Sequence, residues 1–283
     1  MIVTAATLTI SVRTAAHAVA GIDFTSRPTR RKPIVVALGR RVGDVVQLDR
    51  LEAHASFESF GAWLAAPGDW VGGFDLPFGL PKGLTTQLGW PGEWLPLMRH
   101  YAAMSRDDVR STFAAFCNAR PVGGKFEHRA TDGPAGASTS MKWVNPPVAL
   151  MLHAGVPMLV DAGLHIPGLH TGDERRVALE AYPGLLAREV LKLRSYKNDD
   201  RAKQTPERLI ARKDLVDALE QGRTRLGLRL RVSHALRERL IDDASGDSLD
   251  ATLCLIQAGW AAPRPNWGLP AVIDPLEGWI VTA

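Results

Sequence analysis

The chain has 283 residues, 46% of them hydrophobic, and a net charge of only +4. That is enough apolar material for a sizeable core, and it excludes a low-complexity chain, while no run is long and apolar enough to span a membrane. Two cysteines, Cys117 and Cys254, lie far apart without metal-type spacing, which excludes a disulfide scaffold and fits a reduced, cytoplasmic protein.

The opening MIVTAATLTISVRTAAHAVAG has no basic residue ahead of its apolar part and is interrupted by threonines, so it reads as a leading strand or an extension rather than a secretory signal. Three strands are predicted next, at 17–24, 33–41 and 45–53, joined by short polar turns as an antiparallel meander. SFESFGAWLAAPG follows with a serine start, helical spacing at Phe57, Phe60 and Leu64, and a Pro-Gly stop. The apolar run Trp70 to Asp75 is then a strand reached through a helix, hence parallel to an earlier one. Residues 84–170 show helical pieces and Gly/Pro-rich loops without a strand and helix rhythm, and read as an insertion into a single domain. RRVALEAYPG (175–184) resumes a strand, and helical periodicity covers about 184–193, 206–221, 233–241 and 246–262. Three strands, helix, strand, insertion, strand and terminal helix is an α/β order of the RNase H-like kind, a mixed sheet with a helical insertion.

Carboxylates recur where this order ends its elements. Asp23 closes the first strand, Asp75 the fourth and Glu180 the fifth, while Asp247 and Asp250 open the last helix about 60° apart on its surface, away from the stripe of Leu249, Leu253, Ile256 and Trp260. Neighbouring first and fourth strands would bring Asp23 and Asp75 to one sheet edge. Asp75 lies in an apolar run cut off by Pro77, Gly79 and Pro81, and an ionised carboxylate there needs a cation, hydrogen bonds or a raised pKa. Converging carboxylates repel one another, and oxygen-only ligands select hard cations such as Mg²⁺ or Mn²⁺. Two such ions about 4 Å apart activate water and stabilise a leaving oxyanion in phosphodiester hydrolysis. Taken singly, each acid has a plainer reading: Asp247 and Asp250 as an N-cap with an acid at N3, Asp23 as an Asx-turn onto Thr25 and Ser26, and Glu180 as a surface strand residue.

GIDFTS (21–26), GGFDLPFGLP (72–81), EAYPG (180–184), GDSLDATLCLIQA (246–258) and LEGWI (276–280) resemble, in that order, a family of predicted RNase H-like nucleases, over roughly residues 18–281. The resemblance implies an RNase H-like fold with Asp23, Asp75 and the Asp247/Asp250 pair as metal ligands, similar to Holliday-junction resolvases of that superfamily. Glu180 would position the water.

Nucleic acid, DNA or RNA, is the expected partner. The polar loop 123–143 offers Lys125, His128, Arg129 and Lys142 to a substrate, or is a surface loop. RSYKNDDRAK places Arg194, Lys197, Arg201 and Lys203 around Tyr196, as a phosphate and base contact or a solvated helix terminus. Residues 186–240 carry 15 Lys/Arg against 8 Asp/Glu, which suits a polyanion or a solvated helical face equally. His153, Asp161, His165 and His170 match no familiar zinc spacing, and the eight tryptophans read as core. Two other functions fit the same order of elements. One is a nucleotide-dependent phosphotransferase of the actin-like type, although no Walker loop is present; the other is a non-catalytic binding module.

Overall fold

The computed structural model describes residues 16–283, and most of the opening apolar stretch lies outside them. β1 (His17–Asp23), β2 (Ile34–Val42) and β3 (Val45–His54) form the expected antiparallel meander. α1 (Phe57–Ala65) starts where the Ser56 side chain accepts the Ser59 N–H, and returns the chain to β4 (Trp70–Asp75), parallel to β1 with Asp75 opposite Asp23. Between β4 and β6 come α2 (Lys82–Gln87), α3 (Trp94–Ala103), α4 (Arg106–Asn118), α5 (Asp132–Ala135), α6 (Val148–Asp161) and the short β5 (Leu164–His165). β6 (Asp173–Glu180) then pairs parallel to β4, and α7 (Pro183–Leu191), α8 (Pro206–Glu220), β7 (Arg229–Arg231), α9 (His234–Asp242) and α10 (Asp247–Ala261) follow.

The protein is thus α/β, with one mixed seven-stranded sheet in the order β5-β6-β4-β1-β2-β3-β7 and ten α-helices among the described residues. β5 and β7 were not legible as strands, because two and three residues are too few to show an alternation. None of these helices is long and apolar enough to cross a membrane.

Alternation along the strands builds two cores. Ala20, Ile22, Ile34, Val36 and Phe74 pack with α1, α3, α4 and α6 on one face. Val19, Val35, Ala37 and Val46 pack with α7, α8, α9 and α10 on the other. α10 is buried at 14 of its 15 positions, not only along the expected stripe, because α7 and α9 cover its outer side.

Glycine lets α10 lie this deep. A Cβ on Gly21 would run into the Ala251 carbonyl and the Leu255 backbone, and one on Gly73 would stand 2.6 Å from the Cys254 carbonyl. Both clashes are with backbone, which no rotamer change relieves. Gly21→Ala is therefore expected to lower stability by about 2–3 kcal/mol or more and to displace the start of α10. Urea melts with a weakened Mn²⁺ response would show both effects, and unchanged curves would contradict them.

Candidate metal centre

The face occupied by Gly21 and Gly73 is also the face of the residue two positions on, since strand side chains alternate. Asp23 and Asp75 therefore both point towards α10, side by side on adjacent parallel strands. Asp250 enters from the first turn of that helix. One oxygen from each of the three carboxylates lies within 4.8 Å of the others, and this is the single such grouping of His, Cys, Asp or Glu among the described residues.

The helix start leaves Asp247 and Asp250 free of capping. Gly246 is the N-cap, in the left-handed region at φ 78°, and Asp243 supplies the acceptor instead, taking the Ser248 N–H at 2.8 Å and the Ser245 hydroxyl at 2.7 Å. The N-cap reading of Asp247 is thereby replaced. The Asx-turn reading of Asp23 fails as well, because neither Asp23 nor Asp75 accepts a hydrogen bond from the described residues, although Asp23 is only 7% exposed. Burial first, then the charges of Asp250 and Asp247, push the Asp23 carboxyl well above its usual range. Burial and Asp250 push Asp75 up to about 7.

Asp250, fully buried, receives the Tyr196 hydroxyl on Oδ1 and the Lys197 ammonium on Oδ2. Burial opposes the charge on Lys197, but Asp250, with Asp23 behind it, outweighs that and raises its pKa well above normal. A protein cation thus stands beside the carboxylates. Oxygen-only donors, two of them without any hydrogen-bond donor, and an ammonium as stand-in are a donor set that fits a hard divalent ion.

The remaining sequence-predicted residues are sorted by the same geometry. Asp247 is near enough to act on Asp23 but stays outside the three-carboxylate group, with Oδ1 held by Lys32 Nζ at 2.7 Å. Lys32 also bonds Asp199 at 2.7 Å, and nothing in its own sequence position marked it as a partner of residues more than 160 positions away. Glu180 does end β6, yet in register with Phe74 it belongs to the opposite sheet face from Asp75. It is 4% exposed, and its oxygens take Arg129 Nη2 at 2.6 Å, Arg129 Nη1 at 2.8 Å and the Phe78 N–H at 2.9 Å. Glu180 is therefore neither a surface residue nor a free base for water.

Arg129 is its partner. It lines the cleft, but it is buried and bonded to Asp132 and Glu180, in a loop that folds around α5. Arg194 pairs with Asp214 at 2.6 Å, and Lys197 is engaged as described, leaving Lys125 and His128 exposed. Among the conceivable zinc ligands, His153 bonds the Met104 carbonyl at 2.9 Å, while His165 and His170 pack against Trp267 and Trp94.

Above the carboxylates opens a cleft of about 680 Å³, walled by Phe24, Leu76, Pro147, Val148 and Met151, with Tyr182 and Ser138 at its sides. No family model, no curated protein and no solved structure matches this chain.

Two outcomes follow from the charges. In the unfolded chain Asp titrates near about 3.9, so a carboxyl raised by folding favours the folded state below that pH and loses the contribution as pH rises through its folded pKa, about 7 for Asp75. The metal-free melting temperature is expected to carry a falling component between about pH 4 and pH 7, and saturating Mn²⁺, which binds the deprotonated carboxylates, to reverse it. Melts in EDTA and in Mn²⁺ across that range check the sign. Lys197→Met strands Asp250 with Tyr196 alone, which should cost the metal-free protein about 2 kcal/mol, less than for a fully enclosed pair because Lys197 is 41% exposed. Calorimetric Mn²⁺ affinity should rise in the same variant; a fall would mean that the ammonium does not compete with the ion.

Proposed function

We propose that the protein is a divalent-metal-dependent hydrolase of phosphodiester bonds, a nuclease on an RNase H-like sheet. The observation that carries the reading is the meeting of Asp23, Asp75 and Asp250, contributed by two adjacent strand ends and one helix start, with two of the three lacking any donor. The central strand order β3-β2-β1-β4-β6, with the antiparallel meander and two parallel additions, supports it. The resemblance of GIDFTS, GGFDLPFGLP and GDSLDATLCLIQA to predicted RNase H-like nucleases points the same way.

Mg²⁺ or Mn²⁺ held by Asp23, Asp75 and Asp250 would polarise the scissile phosphate and lower the pKa of the attacking water. The chain's own contribution is positioning. Asp23 and Asp75 are fixed by sheet hydrogen bonding on both sides, and Asp250 by a buried helix turn and Tyr196. The Lys32 bridge keeps Asp247 from adding a fourth free charge. Apolar walls from Phe24, Leu76 and Met151 exclude water around the reacting group, which strengthens every charge interaction inside. Lys197 offers a donor to a phosphate oxygen once its carboxylate is taken by a cation.

A non-catalytic module is favoured by one observation, the completeness with which Tyr196 and Lys197 already satisfy Asp250. Asp23→Asn separates the two. Removing one of several repelling charges should leave metal-free stability unchanged or raise it by about 1 kcal/mol, while abolishing Mg²⁺-dependent oligonucleotide cleavage and most of the Mg²⁺ melting shift. A destabilised variant that keeps the full shift would remove Asp23 from the centre. A wild type with a metal shift and no cleavage would favour the module.

A further inference from the structure

Of the basic residues that the sequence offered to a substrate, Arg129, Arg194 and Lys197 are paired with the chain's own carboxylates. The connection from β1 to β2 is different. It reads Phe24-Thr25-Ser26-Arg27-Pro28-Thr29-Arg30-Arg31-Lys32-Pro33 and begins directly after Asp23. Thr25, Ser26 and Lys32 line the cleft, so the segment is one lip of it. Lys32 is engaged by Asp199 and Asp247, but Arg27, Arg30 and Arg31 are exposed and form no ion pair among the described residues, although Arg31 borders a shallow depression that Asp242 and Asp243 also line.

The lip is held in shape. The Thr29 N–H donates to the Lys32 carbonyl at 2.9 Å, the Lys32 N–H returns to Thr29 Oγ1 at 3.1 Å, and Pro28 and Pro33 restrict the backbone on either side. Arg106, at the first position of α4, donates Nη1 to the Ser26 carbonyl at 2.9 Å and Nη2 to Ser26 Oγ at 3.2 Å. Its Nε is buried without a partner. Burial, and then the charges of Arg27 and Arg110, lower the Arg106 pKa, so these guanidinium groups repel one another in the free protein. Such like-charge crowding on an ordered lip destabilises the chain alone and is relieved by a polyanion.

We propose that the β1–β2 lip is the nucleic-acid-binding surface, with a sugar-phosphate strand lying over Arg27, Arg30 and Arg31 and passing one phosphodiester down to the carboxylates. The choice of a nucleic-acid strand rests on the phosphodiester reading above, because an acidic protein segment would present nothing for that centre to hydrolyse. Arginine forks grip phosphate oxygens in pairs, which suits strand placement without sequence readout.

The test is fluorescence anisotropy of a short labelled single-stranded oligonucleotide on the full chain in EDTA, over a salt series, for wild type, Arg27→Gln/Arg30→Gln/Arg31→Gln and Lys125→Gln/His128→Gln. The arginine variant should bind at least about tenfold more weakly, and its log-affinity against log-salt slope should flatten by about two, at about 0.7 per lost contact. Lysine at the same three positions should restore most of the slope, which a folding defect would not. An arginine variant that binds like wild type, or a loss confined to the Lys125/His128 variant, overturns the proposal, as does equal competition by polyglutamate. The Mg²⁺ melting shift is read separately. A shift that persists with no role for the arginines sinks the lip alone, and arginine-dependent binding without any shift sinks the metal reading alone.

Discussion

The depth at which α10 lies on the sheet is the constraint on which the other features depend. Gly21 and Gly73 remove the side chains that would hold the helix off, and the helix backbone comes down onto β1 and β4. Two residues further along each strand the same alternation turns Asp23 and Asp75 to meet Asp250. The pattern Gly-x-Asp, written once in GID and again in GFD, is therefore one packing device and one chemical device on a single face. Without the close approach, three aspartates at three strand or helix ends would be ordinary surface acids.

Close approach also concentrates like charge, and the surroundings manage it in graded ways. Asp247 is held by Lys32, Asp250 by Lys197 and Tyr196, and Glu180 by Arg129 and the Phe78 N–H. Asp23 and Asp75 are left without donors and respond by a raised pKa. The residues without compensation are those whose charge a bound cation would compensate, and the compensated ones form the frame around them.

Much of this was legible in the sequence where the signal is local. The meander, α1, β4, β6 and the later helices follow from alternation, caps and proline stops, and the strand-end aspartates follow from those boundaries. Pairings between distant positions were not legible. Glu180 was placed at its strand end, but its sheet face depends on register with β4. Nothing in a count of basic residues separates Lys197, bound to an acid 53 positions away, from Lys125, which is exposed. The arginines of 27–31 stand openly in the sequence, and what marks them is that none forms an ion pair with a carboxylate among the described residues.

The wide chain separation of the parts bears on how the protein is made. The central strands β1 to β4 and β6 are complete by residue 180, whereas the helix that fills the groove above Gly21 and Gly73 begins at residue 247. At roughly 5–20 residues per second on the ribosome, the strands are made several seconds before the helix that lies directly on β1 and β2 over Val19, Val35 and Ala37. Throughout that interval the nascent chain has two of its three clustered aspartates and no Asp250, so an ion met early finds an incomplete site. Synthesis itself orders the events, with core closure and completion of the carboxylate cluster arriving together in a single late step of docking.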